Sequence, residues 1–179
     1  YDAVYAASEG GHVNLLELES DKWGADHSAA GAWLATKWNL PSVLRQCVTH
    51  NHAEWIGPEE IADADVRKVV LSVALSGWIA DIWVHDDTAR ATQIASDRAS
   101  SLLGLQGFAL EPILDAIAEL LPETSRLFDM NIGSPDDVAE VLADARESLV
   151  MLSIQTAQRA RQAEQTVDQL QLRTAALED

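Results

Sequence analysis

Cysteine, proline, aromatic rings other than tryptophan, and positive charge are all scarce in this sequence. One cysteine, Cys47, excludes an internal disulfide. It lies on the apolar side of its predicted helix and reads as a small core hydrophobe. Twelve Lys and Arg stand against 29 Asp and Glu, a net charge of −17, so a nucleic-acid backbone is repelled unless a local basic patch outweighs the field. The densest basic run, Arg159 to Arg161, is diluted by Gln and Glu and forms no such patch. No apolar run approaches the roughly 18 residues of a membrane span, and no signal-peptide pattern occurs. No glycine-rich phosphate loop follows a strand, which leaves nucleotide binding of the P-loop or Rossmann kind unsupported.

What is there is an ordered, helical chain: 47% of residues are apolar and 23% charged, enough for one sizeable core in 179 residues. The few Gly and Pro act as punctuation. Tyr1 to Ser8 reads as a short helix closed by Gly10-Gly11. Val13 to Trp23 follows, with Leu15, Leu16, Leu18 and Trp23 as core candidates, and Gly24 ends it. Asp26 is placed to cap the next helix, in which Ala30, Leu34 and Trp38, with Ala29 and Trp33, are expected to bury one face. Pro41 is pre-set for a new helical start, and Val43, Leu44, Cys47 and Val48 share a side of it.

Ile56 to Glu60 reads as a break and helix entry. Asp65 to Val84 is apolar around much of its girth (Val66, Val69, Val70, Val73, Leu75, Ile79, Ile82), as expected at a domain centre. Ala91 to Leu103, Leu110 to Leu120 and Glu123 to Phe128 complete the globule, the last two separated by Pro122. Trp23, Trp33, Trp38, Trp55, Trp78 and Trp83 are expected to be core residues rather than a stacking pocket.

Met130 to Ser134 is the linker, with Ser134 as N-cap and Asp136 and Asp137 complementing the helix dipole. From Val138 to Asp179 there is neither Gly nor Pro, so one helix could run on the order of 60 Å. Leu142, Leu149, Thr156, Ala163, Leu170 and Leu177 recur every seventh residue, with Ser153, Ala160, Val167 and Thr174 as the other half of a heptad seam. That seam is small and partly polar, and a second copy of the helix is its expected partner. Met151, Leu152 and Ile154 fall off the seam and are expected to touch the globule.

The run Gly24-Ala25-Asp26-His27-Ser28-Ala29-Ala30-Gly31-Ala32-Trp33-Leu34-Ala35-Thr36-Lys37-Trp38-Asn39-Leu40-Pro41 resembles the closing half of an HDOD domain, with Gly24, Asp26, His27, Gly31, Trp38, Leu40 and Pro41 carrying the likeness. HDOD domains are bacterial relatives of the HD phosphohydrolases that generally lack the complete metal site. The resemblance covers roughly the first two-thirds of the chain. It implies an all-α fold, with an HDOD-like bundle over 1–130 and a linker and signalling helix over 131–179. Because the chain opens on Tyr1 in mid-helix, the resemblance also implies a fragment with a further helical region upstream.

HD-type hydrolysis converges histidines and aspartates on metal ions that lower the pKa of a bound water. By resemblance, a metal reading would draw on His27, on His50 in Thr49-His50-Asn51-His52, and on Asp81 after Ala80. Several departures weigh against it. The only adjacent His-Asp pair, His85-Asp86, comes after the Ala-Asp position. Asn51 interrupts the histidine pair, and Ala53-Glu54-Trp55 stands where a Gly-Tyr-Pro signature would follow.

The expectation is therefore a non-catalytic, cytoplasmic regulatory module with no cofactor. It would control an attached or separate output domain through a homodimerising helix, contacting neither nucleic acid nor membrane. The resemblance implies a GGDEF diguanylate cyclase in cyclic di-GMP signalling as that output. The alternatives are a degenerate metal-dependent phosphohydrolase acting on a nucleotide, and a helical protein-interaction scaffold.

Overall fold

The structure, a computed structural model, describes residues 1–7, 12–129 and 134–178. The described residues contain no strand, and the chain is all-α. In order the helices are α1 (Asp2–Ala7), α2 (His12–Trp23), α3 (His27–Lys37), α4 (Ser42–Thr49), α5 (Ala64–Val84), α6 (Thr88–Leu103), α7 (Glu111–Phe128) and α8 (Pro135–Glu178). A single 3-10 turn at Gly107–Ala109 precedes α7. The chain divides into two compact units, one from Tyr1 to Leu105 and one from Gln106 onward. The Gly10-Gly11 stop and most of the Met130 to Ser134 linker lie outside the described residues.

In the first unit the punctuation works as the residue types predict. Gly24 adopts φ +74°, the left-handed region open to glycine, and its N–H bonds Ser20 O at 2.8 Å. Asp26 then caps α3, its Oδ1 accepting from Ala29 N at 2.8 Å. Asn39, at φ +52°, ends α3, and the Leu40 N–H returns to Ala35 O at 3.0 Å. Pro41 takes the N-cap position of α4 rather than the first helical residue, with extended ψ of 145°. Ile56 to Glu60 is a turn and not a helix entry; α5 starts later, where Asp63 accepts from Asp65 N and Val66 N.

The direction of α3 overturns one expectation. It buries its small-residue side: Ala35 is fully enclosed, with Ser28, Gly31 and Ala32 half-buried. The Ala30–Trp33–Leu34–Trp38 stripe faces outward, and Ala29 is exposed with it. The cause is close approach. A Cβ on Gly31 would stand 2.7 Å from Val48 Cγ1 of α4, a gap that admits no large side chain. Trp23, Trp55, Leu44, Val69 and Val73 are likewise exposed rather than core, and Trp78 and Trp83 are half-buried. The six tryptophans therefore do not form the core.

That core is aliphatic. Val70, Leu71, Ala74, Leu75, Ile79 and Ile82 of α5 are buried, as are Ala91, Ala95, Ala99 and Leu102 of α6. Three alanines four residues apart form a smooth strip on α6 along which α5 can close in.

In the second unit Leu110 and Leu114 are buried, together with Val138, Ala145 and Leu149 of α8. Arg146 of α8 adds an ion pair to Asp115 of α7 at 2.6 Å. Pro122 does not split the segment: α7 runs through it. An interior proline removes a helical N–H donor and costs about 3 kcal/mol. At the start of α8, Ser134 N donates to Asp137 Oδ2 at 2.7 Å and Asp137 N donates to Ser134 Oγ at 3.3 Å, a reciprocal cap. Met151 and Ile154 are exposed, while Leu152 is half-buried. No helix among the described residues is long and apolar enough to cross a membrane.

Candidate functional site

The polar groups that converge are in the first unit, where α2, the start of α3 and the turn after α4 meet. Glu19, on α2, is only 1% exposed, so each of its carboxylate oxygens needs a donor. Oε1 accepts from Tyr1 Oη at 2.8 Å. Oε2 accepts from the His27 backbone N–H at 2.8 Å and lies 2.6 Å from His27 Nδ1. The backbone bond has a local cause. The first N–H groups of a helix have no partner within it and carry partial positive charge. Asp26 satisfies one of those on α3 and Glu19 another.

The chain of contacts continues outward. His27 Nε2 lies 2.8 Å from Nε2 of His52, the rings meeting edge to face with centroids 4.9 Å apart. Beside them Ser28 Oγ donates to Asn51 Oδ1 at 2.7 Å. The start of α3 is thus tied twice to the segment after α4.

Proton positions follow from these distances. Burial alone would push the Glu19 carboxyl up. The hydrogen bonds from Tyr1 and from the backbone and ring of His27 outweigh that and hold it below its ordinary value. An ionised Glu19 accepts only, so His27 Nδ1 carries a hydrogen. The two Nε2 atoms face each other at hydrogen-bond distance, one donating and the other accepting. The result is a phenol–carboxylate–imidazole–imidazole relay running from Tyr1 to His52.

Two imidazoles on one tetrahedral zinc, each about 2.0–2.1 Å from it, stand about 3.4 Å apart; the 2.8 Å between His27 and His52 is a hydrogen-bond distance. Among the described residues no group of three His, Cys, Asp or Glu side chains could hold a metal ion. The three sequence candidates are not brought together. His27 is in the relay. His50 is the C-cap of α4, its N–H on Gln46 O at 3.0 Å. Asp81 lines a separate crevice between α5 and α6, with Trp78, His85, Arg90, Ala91 and Ile94.

Sequence reasoning names His27 but misses Glu19 and Tyr1, and gives His52 no partner. One signal for Glu19 was available: it lies four residues after Leu15, on the buried stripe of α2. An acid at a core position requires dedicated donors.

On the long helix, Leu149 is buried within the second unit and Leu142 is half-buried there. Thr156, Ala160, Ala163, Val167 and Leu170 are exposed, and the Leu177 side chain lies outside the described residues.

Residues 1–54 match the HDOD domain family. The match is shorter than the two-thirds of the chain over which the resemblance is expected, but it contains Tyr1, Glu19, His27, Ser28, Asn51 and His52, the whole relay and its neighbours. No curated protein and no solved structure matches the chain.

Proposed function

We propose that this chain is a non-catalytic regulatory module whose first four helices are HDOD-like and whose long C-terminal helix couples it to a signalling output domain. The observation that supports this reading is that the polar groups of this corner face one another. A hydrolytic centre directs lone pairs or open coordination positions at a substrate. Here the Glu19 carboxylate faces Tyr1 and His27, and the two imidazoles face each other.

For the output we propose a diguanylate cyclase of the GGDEF type in cyclic di-GMP signalling, on the strength of the resemblance to HDOD domains. Joining two nucleotides requires two such domains face to face, so the pairing of two chains through α8 would set the rate. The pairing surface is the exposed stripe Thr156, Ala160, Ala163, Val167 and Leu170. It is small and partly polar, so pairing is weak, and an input that binds two helix arrangements unequally by a few kcal/mol could shift it. The setting in which this reading makes sense is the bacterial cytoplasm.

The test is a fusion of residues 1–179 to a diguanylate cyclase domain stripped of its own dimerising helix. The fusion should be dimeric and make cyclic di-GMP, and Val167→Asp should abolish both. A monomeric, inactive fusion would refute the coupling. Nucleotide hydrolysis by residues 1–179 alone in the presence of Mn²⁺ would refute the non-catalytic reading and restore the phosphohydrolase.

A further inference from the structure

The exposed half of α8 differs in charge from the half that precedes it. From Pro135 to Ile154 five acids stand against one arginine, a net charge of −4. From Gln155 to Arg173 three arginines stand against Glu164 and Asp168, a net charge of +1. In a chain of net charge −17, this segment can meet its own copy without the repulsion that the preceding half would bring. The side opposite the stripe is uncharged glutamine: Gln155, Gln158, Gln162, Gln165 and Gln169.

The heptad places two charges where a partner helix meets them. With Ala160 and Val167 at a and Ala163 and Leu170 at d, Arg159 takes a g position and Glu164 the e position of the next heptad. In a parallel, in-register pair the g residue of one helix lies beside the following e residue of the other. Arg159 then meets Glu164 of the second copy, and twofold symmetry repeats the contact. The next such pair, Thr166 with Gln171, is neutral. Both Arg159 and Glu164 are exposed, and neither takes part in an ion pair among the described residues.

Other alignments lose this match. An antiparallel copy sets g beside g and e beside e, which separates Arg159 from Glu164. In one such register it brings Arg159 beside Arg173 and Glu164 beside its own counterpart. A parallel copy shifted by one heptad breaks the pair as well. The core agrees with the charges, since a β-branched Val167 at a with Leu170 at d is the combination that favours two parallel strands.

We propose that the exposed half of α8 binds a second copy of itself parallel and in register, with Arg159 of each chain paired to Glu164 of the other. This rests on the pairing of two chains through α8 proposed above, and adds which way the second helix runs and what fixes it. A parallel pair brings equivalent positions of two chains together along its length, as an output domain that works in pairs requires.

The test begins with Thr156→Cys and Val167→Cys, made singly. Each should give a disulfide-linked dimer on mild oxidation, because in this alignment every seam residue meets its own counterpart within disulfide reach. In an antiparallel pair only the residue at the crossing point does so, and at most one of the two positions would link. Wild-type protein, whose Cys47 is buried, serves as the control. By sedimentation equilibrium, Arg159→Glu and Glu164→Arg should each dimerise about tenfold more weakly than wild type. An equimolar mixture of the two should regain wild-type affinity, since the mixed dimer again sets opposite charges at both contacts. In a protein that still dimerises, linkage at fewer than both positions, or charge variants as tight as wild type, would overturn the parallel alignment and leave the pairing in place. A wild-type protein that is monomeric at every concentration would refute the pairing itself, and with it the coupling to an output domain, giving the stripe to a different molecule.

Discussion

The two halves of α8 use one apolar stripe in two environments. In the first half Val138, Ala145 and Leu149 are buried within the second unit, and Arg146 is anchored to Asp115. In the second half Ala160, Ala163 and Val167 continue the same stripe in the open, with Val167 50% exposed. Nothing in the helix itself marks the change, since no glycine or proline interrupts it. The difference teaches that seven-residue periodicity reports a buried face without saying who buries it. Leu142 and Leu149 are engaged within the chain, so a seam for another copy of α8 begins only beyond Ser153.

The comparison is broken most forcefully at Leu149. Leu149→Asp puts an unpaired charge into a closed apolar contact, and urea unfolding should register a loss of at least about 4 kcal/mol. Hydrogen exchange should show protection lost in α7 and α8 together. Had this residue served a dimer instead, the loss would depend on protein concentration.

Glu19→Ala should cost less, about 2–4 kcal/mol, by stripping the acceptor from Tyr1 Oη, His27 N–H and His27 Nδ1. The same carboxyl gives a pH signature. Its pKa is lowered from an ordinary 4.5, so its stabilisation is fully present above that value and disappears as pH falls through the depressed folded-state value. Wild-type stability should therefore fall more steeply below pH 4.5 than that of Glu19→Gln, as read by thermal melts across that range.

Gly31→Ala comes next. Its methyl group would meet Val48 Cγ1 at 2.7 Å, and about 1–2 kcal/mol of overpacking should outlast the gain in helix propensity. Adding Val48→Ala in the same protein should recover most of the loss; no recovery would mean that the glycine matters for another reason.

Val167→Asp should leave the melting temperature within about 1 °C of wild type, because the side chain is already solvated. Its effect should be confined to sedimentation behaviour, as a shift from dimer toward monomer.

Local chemistry made much of the fold legible. Gly24, Asp26 and Ser134 stop or cap helices through contacts within a few residues, which is the range over which sequence is informative. The outward turn of α3 was hidden because a stripe of large apolar residues normally dominates. Here the competing requirement, room for α4 at Gly31 and Ala35, decides the orientation and is visible only with α4 in place. The relay was hidden for the same reason: Tyr1 and Glu19 are separated by 18 residues and His27 and His52 by 25. His50 and His52 are equivalent by composition, and the turn after α4 selects between them.

Since α8 is a continuous shaft, its length fixes an angle as well as a reach. Each residue added or removed near Gln155 would rotate everything beyond it by about 100° relative to α7. A deletion of seven residues nearly restores the original phase, whereas a deletion of five points Val167 to the far side. The face that the exposed half of α8 presents is consequently set by residue count.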